Sequence, residues 1–234
     1  LTPAILDDLA RACSTAEVGD ARAIILSGAG ERHFSSGVDL SPVEPDDLPA
    51  YMQREEGRLG TAAAALEASP VPVIASIDGA AFGGALELAA ACDWRVASRT
   101  ARLGMPAGRI GVAYSLAGLR RFVSLMGPAR ARRLFLSAAT LTAEDGLTLG
   151  LVDELAPPDG SARDAARAAA DGVAACSPAA VAAMRSAIAA LVPDPPDHAE
   201  KEAAAARAAV FASQDFREGL AAFRDKRTAE FTGD

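Results

Sequence analysis

The sequence predicts an α/β core followed by a helical C-terminal region. Three observations carry this reading. Short apolar runs of strand character alternate with helix-like stretches from the N-terminus to about Leu155. Pro157-Pro158-Asp159-Gly160 then breaks the chain. Beyond it, Ala-rich helical stretches follow one another with no further strand pattern. Such a succession implies a sheet-and-helix core and an appended helical layer. Residues 1–160 are read as the core and 161–234 as a helical region suited to packing on a neighbouring subunit.

Each element has a local reason. Thr2-Pro3 supplies an N-cap and a first-turn Pro for a helix running to about Cys13. Ala23 to Ser27 is a short apolar strand ended by Gly28-Ala29-Gly30. Ser41 to Pro49, rich in Pro and acids, reads as a surface loop, and Tyr51 to Ala68 as a helix. Val71 to Ile77 is a buried strand with Pro72 near its start, where it is tolerated. Gly84 to Ala91 is a helix and Trp94 to Ala97 a strand. Leu116 to Leu125 and Ala129 to Leu136 are helical, and Gly150 to Leu155 is a last strand. Ala162 to Leu191 and His198 to Phe223 read as two continuous helical stretches separated by Pro193 to Pro196.

Composition narrows the partners. The chain has 234 residues, half of them hydrophobic, enough for a sizeable core. A formal net charge of −8 gives no general field for nucleic acid. An anionic ligand would need a local basic patch. Only Lys201 and Lys226 are Lys, and the other cations are Arg, which suits phosphate. Codon bias in a GC-rich genome accounts for the Arg and Ala excess equally well. Cys13, Cys92 and Cys176 form no C-x-x-C pair, so no structural zinc site or other metal is implied. So sparse and odd a count fits a reducing cytoplasm. No apolar run approaches a membrane span and no signal peptide is visible.

Two glycine-bearing segments stand out: His33-Phe34-Ser35-Ser36-Gly37-Val38-Asp39-Leu40, and Asp78-Gly79-Ala80-Ala81-Phe82-Gly83-Gly84-Ala85-Leu86-Glu87-Leu88. Each follows a strand-like run. Glycine lets backbone approach a ligand closely. The amides of Val38 and Gly84 are therefore candidates to hold one developing oxyanion jointly. Two ordinary tight turns are the alternative. Glu87 lies three residues past Gly84, one turn into the helix and nearly on the same face. Its neighbours are Ala and Leu, so its pKa should be raised into a range useful for proton transfer. The alternative is an ion pair with an Arg such as Arg95. Gly28-Ala29-Gly30 lacks the third Gly of a dinucleotide fingerprint, since His33 stands there. Neither His33 nor His198 sits in a nucleophile-like setting. Asp39 and Asp93 read as loop-holding residues, and Cys92 as a small core residue. Tyr114, after a Gly-rich stretch, either faces a pocket or simply packs.

Together Ile24–Leu40, Pro72–Ala97 and Gly127–Leu155, the last including Thr142-Ala143-Glu144-Asp145 and Gly150-Leu151-Val152-Asp153, make the chain resemble the crotonase superfamily, or enoyl-CoA hydratase/isomerase family. The likeness runs from Leu1 to about Phe231. It implies a spiral core of repeated ββα units with a C-terminal helical region, whose first strands would precede Leu1. It implies acyl-CoA thioesters as substrates, with coenzyme A part of the substrate and no separate cofactor, and homotrimers or hexamers. It assigns the oxyanion hole to the Val38 and Gly84 amides and an acid/base role to Glu87. Ser36, Gly37, Asp39, Leu40, Gly83 and Ala107 would line the substrate site. Phe223, Lys226 and Arg227, near the last helix, would approach coenzyme A, either this subunit's or a neighbour's. Family hydratases carry a second glutamate, and here Ala107 stands at that place. Gly111 to Leu119, with Tyr114, looks like methylmalonyl-CoA decarboxylase-type members, although Val38 replaces their His. Three readings follow: an enoyl-CoA hydratase, a 2-carboxyacyl-CoA decarboxylase led by Tyr114, or a catalytically silent acyl-CoA-binding helper subunit.

Overall fold

The computed structural model describes residues 1–14, 18–30, 32–40, 48–192 and 197–233. Along the chain these form α1 (Pro3–Ala12), β1 (Ile24–Ser27), α2 (Leu48–Glu67), β2 (Val73–Ile77), β3 (Ala80–Phe82), α3 (Gly84–Ala90), β4 (Trp94–Ala97) and β5 (Arg102–Gly104). A short 3-10 turn, Pro106–Arg109, precedes α4 (Leu116–Ser137), β6 (Thr140–Thr142), α5 (Ala143–Leu149) and β7 (Glu154–Leu155). The helices α6 (Ala162–Ala174), α7 (Pro178–Ala190), α8 (Asp197–Ala212) and α9 (Gln214–Asp225) complete the order.

Two sheets stand at the centre. One has the order β1-β2-β4-β7, the other β3-β5-β6. The first is parallel, with Ile24 opposite Val73 and Ile74 opposite Trp94. Every residue of β2 is buried. A parallel strand covered on both faces reads as a continuous apolar run, which is why Val73 to Ile77 was legible. Val73, Ala75 and Ile77 join Leu6, Leu66 and Leu86 in the main core. Ile74 and Val96 point the other way, onto Ala165 and Ala166 of α6. In the second sheet β3 pairs parallel with β5, and β5 antiparallel with β6.

The helix starts follow their caps. The Thr2 side chain accepts from the Ile5 amide, and Thr142 and Asp145 close a capping box on α5. Several boundaries differ from the sequence reading. The helix placed at Tyr51 begins earlier, so Leu48 and Pro49 leave the proposed loop; Ser41 to Asp47 lie outside the described residues. The strand expected over Gly150 to Leu155 is confined to Glu154–Leu155, because Gly150 is the left-handed cap of α5. The two helices expected between Leu116 and Leu136 are present as the two arms of α4, parted at Gly127 (φ 76°, ψ 162°), whose backbone is not helical, just before Pro128. Ala162 to Leu191 is not continuous: Ser177 caps α7 and Pro178 starts it anew. Likewise Ser213 caps α9 and divides His198 to Phe223.

Asp93 holds a loop, as its place in the sequence suggested. Its Oδ2 accepts from the Val73 amide at 2.8 Å. Arg185 of α7 donates to Asp93 at 2.8 Å and to the carbonyls of Ser69 and Leu66 at 2.6 and 2.9 Å. No residue of α7 is buried. This one side chain therefore bears much of the attachment of α7 to the core. Arg185→Met is expected to lower stability by roughly 2–3 kcal/mol, since its partners are charged or carbonyl acceptors. The midpoint of denaturant unfolding measures it; an unchanged midpoint would mean that α7 is held by other contacts.

No single helix among the described residues is long and apolar enough to cross a membrane; α6 and α7 reach that composition only as a pair bent by 109°.

Candidate active site

The site is built where the first Gly segment meets the second. Ser35 forms an isolated parallel bridge with Ala81. Its amide donates to Ala80 O at 3.0 Å, and its carbonyl accepts from the Phe82 amide at 3.1 Å. This extends the β3 edge and carries Gly37 and Val38 alongside Gly83 and Gly84. The approach is close. A Cβ on Gly37 would lie 2.8 Å from Phe82 O and 3.5 Å from the Gly84 nitrogen. The Val38 Cγ2 atom would lie 3.3 Å from a Cβ on Gly84. Gly37 (φ 99°) and Gly83 (φ 57°) both occupy conformations that side chains disfavour. Glycine is thus required twice, for backbone angle and for space. Among the described residues, neither the Val38 nor the Gly84 amide has a protein acceptor. Gly84 is buried and Val38 half-buried, so both open donors call for a ligand or water.

Gly84 opens α3, a helix buried along its whole length. Such a helix is apolar on all sides, and Glu87 is its one charged residue. Its side chain is 3% exposed, and Oε1 accepts from Arg121 of α4 at 3.0 Å. Arg121 also grips Glu67 through two hydrogen bonds of 2.9 Å. Burial pushes the Glu87 carboxyl up to about 7, against the pull of Arg121, with the charges of Glu56 and Glu67 adding to the rise. The ion pair therefore exists alongside the raised pKa. Its partner is not Arg95, which binds Asp153 at 2.6 Å and the Cys92 carbonyl at 2.8 Å. Cys92 is a small core residue, as read.

Gly118 makes room for the carboxylate. A Cβ there would sit 2.8 Å from Glu87 Oε1. Gly118→Ala is expected to displace the carboxyl rather than the backbone. A shift approaching 1 Å lowers turnover by roughly 10- to 100-fold. Steady-state kinetics beside an unchanged unfolding midpoint would record this; full activity would mean that the carboxylate position is uncritical.

A cavity of about 350 Å³ opens over these groups. Ser36, Gly37, Val38, Leu40, Gly83, Gly84, Glu87, Ala107, Tyr114 and Phe223 line it, ten of the twelve residues picked out from the sequence. Asp39 and Lys226 do not. They line an adjoining outer cavity of about 720 Å³, which shares Ser36, Gly37, Val38, Leu40 and Phe223 with the first. Phe223 comes from this chain's own α9 and remains 56% exposed. The C-terminal helices also bury more than their Ala content suggested: Phe211, Phe216 and Leu220 pack with Tyr51 and Met52 beside the cavity.

Tyr114 faces the pocket and packs as well. Its ring meets Phe135 edge-on at 5.3 Å, while its hydroxyl would lie 3.4 Å from a Cβ on Gly83. Burial, with the charges of Glu87 and Glu56, holds that hydroxyl well above its ordinary pKa, so it serves as a donor and not as a base.

The profile of the enoyl-CoA hydratase/isomerase family matches residues 1–234. The chain belongs to that family, within the crotonase superfamily. Among enoyl-CoA hydratase/isomerase relatives, crotonyl-CoA hydratase of Syntrophomonas wolfei is 32% identical over 209 residues, 89% of this chain and 79% of that protein. A methylmalonyl-CoA decarboxylase solved with 2-nitronate-propionyl-CoA superposes with a TM-score of 0.85 at 26% identity, covering 98% of this chain and 88% of that one. The enoyl-CoA hydratase of Bacillus anthracis gives 0.75 at 29%, covering 100% and 90%. The mixed sheets and helices described above are thus the crotonase fold.

Three residues of the site escaped the sequence reading: Arg121, Glu55 and Glu56. Glu55 and Glu56 line the cavity from α2, between Met52 and Leu59. An acid inside an apolar i, i+3, i+4, i+7 stripe is the signal that would have found them.

Proposed function

We propose that this chain hydrates an enoyl-CoA through a thioester enolate. The Val38 and Gly84 amides receive the thioester oxygen, and Glu87 moves a proton at the carbon beside it. The observation that carries this is the pair of acceptor-free amides above a buried carboxyl that titrates near neutrality. Negative charge that develops on the thioester oxygen is met by donors already in place, each worth roughly 3 kcal/mol at the barrier. The acyl chain occupies the inner cavity. The coenzyme A portion extends into the outer cavity, where Lys226 and Arg224 suit its phosphates. Coenzyme A enters as part of the substrate, with no separate cofactor, and α7 offers Met184, Ile188 and Leu191 to a second copy in a trimer or hexamer.

Decarboxylation of a 2-carboxyacyl-CoA is the second reading, favoured by the Tyr114 hydroxyl over Gly83 and by the likeness to methylmalonyl-CoA decarboxylase. Charge argues against it. Glu55, Glu56 and Glu87 line the inner cavity, and no Lys, Arg or His does among the described residues. The free carboxylate of such a substrate would meet like charge, whereas a neutral enoyl chain does not. Crotonyl-CoA hydration and methylmalonyl-CoA decarboxylation, assayed side by side, separate the two. Hydration is expected to dominate. Decarboxylation alone would replace this reading, and tight binding of both esters without turnover would select a silent helper subunit.

A further inference from the structure

Adding water across a carbon–carbon double bond asks for two proton movements. One group takes a proton from water as its oxygen joins C3, and another gives a proton to C2. Glu87 supplies one group. Ala107, on the cavity wall, can supply nothing.

We propose that Glu56 is the second catalytic carboxylate. It comes from α2, an element unrelated to the α3 helix that bears Glu87, and its side chain lines the same cavity. Its Oε2 is held by Arg207 Nε of α8 at 2.8 Å. Its Oε1 is buried and accepts no side-chain hydrogen bond among the described residues. A buried carboxylate oxygen with no donor is strongly disfavoured unless water or a ligand completes it. Burial raises the pKa of this carboxyl, while Arg207 and the Ser115 amide, one residue from Tyr114, favour its ionised form. Glu56, Glu87 and Tyr114 line one cavity, and the charge of Glu56 acts on the other two. Glu55 also lines this cavity and likewise has one oxygen on an Arg, Arg58, and one buried and unpartnered, but its charge acts on Tyr51 and not on Tyr114. Glu56 is the better placed of the two. A further cavity of about 280 Å³, lined by Glu56 and Arg207, adjoins its other side and offers a path for proton return.

The step balances. Ionised Glu56 takes one proton from water while the water oxygen bonds to C3. The C2–C3 π electrons pass to the thioester as an enolate. Protonated Glu87 then gives its proton to C2, and the enolate collapses to the 3-hydroxyacyl thioester. Glu56 ends protonated and Glu87 ionised, and exchange with solvent resets both.

This inference rests on the hydratase reading, and the test keeps the two apart. Exchange of the C2 protons of butyryl-CoA in D2O needs the amides and Glu87 but no attack by water. Crotonyl-CoA hydration needs Glu56 as well. Glu56→Gln is expected to lower hydration by roughly 100-fold or more while exchange stays within a few-fold of the parent. Retained exchange also certifies the fold, and Glu56→Asp should recover part of the hydration. Hydration within threefold of the parent in Glu56→Gln would overturn the role. Equal loss of both reactions would overturn it too, leaving Glu56 as a structural partner of Arg207. A parent protein that exchanges protons but does not hydrate crotonyl-CoA would instead remove the hydratase reading, and this inference with it.

Discussion

Glu87→Gln is expected to reduce crotonyl-CoA hydration by about 1,000-fold and to leave the protein at least as stable as before. The activity loss follows from removing a proton carrier at the reacting carbon. The stability follows from the sign of the linkage. The Glu87 carboxyl titrates near 7 in the folded protein against an ordinary value of 4.5. Between those two values the folded chain holds more protons than the unfolded one. Stability therefore falls as pH rises from about 4.5 to about 7, by an amount on the order of 3 kcal/mol, and is flat above. Glutamine carries no such penalty, and its side-chain oxygen can still accept from Arg121. Thermal melts of both proteins at pH 5 and pH 8 would record this: the variant should gain on the parent only at the higher pH. A variant that hydrates crotonyl-CoA at the parent's rate would remove Glu87 from the chemistry.

Arg121→Leu carries the second large effect. Arg121 is 5% exposed and pairs with both Glu87 and Glu67, the latter also lying 3.9 Å from Arg120. Removing one member of a buried ion pair typically lowers stability by about 3–5 kcal/mol. Here the loss should be pH-dependent. Glu67 is about one-third exposed and turns to solvent; Glu87 has no such route and answers by holding its proton. Charges from α2, Glu56 and Glu67, reinforce that response once the α4 cation has gone. The pKa of Glu87 should rise by roughly 1–3 units. The alkaline limb of the hydration profile, set near 7 by the protonated share of Glu87, should move up with it. An unmoved limb would show that another group governs it.

Much of this was legible because it rests on local rules. The β2 run, the Thr2 cap and the Gly83-Gly84 turn each satisfy a short-range requirement visible in a few residues. The raised pKa of Glu87 was legible for the same reason, since Ala and Leu alone surround it in sequence. What stayed hidden depends on distant parts of the chain. The strands β3, β5 and β6 have three residues each, too few for an alternating pattern to emerge. Arg121 lies 34 positions from Glu87, and Arg95, much nearer in sequence, was the natural but incorrect partner. Glu56 looks like one of many surface acids on α2 until the helix is set against the cavity.

The Ser35–Ala81 bridge has a consequence for how this protein can change. The two groups it aligns are peptide nitrogens, and exchange of a non-proline side chain at position 38 or 84 deletes neither. Point mutation can thus rework the walls, the acids and the entrance while the two donors proposed to cradle the thioester oxygen survive. The vulnerable positions are the glycines, Gly37 and Gly83 for their backbone angles and Gly84 for its space, whose contribution is an absence of atoms.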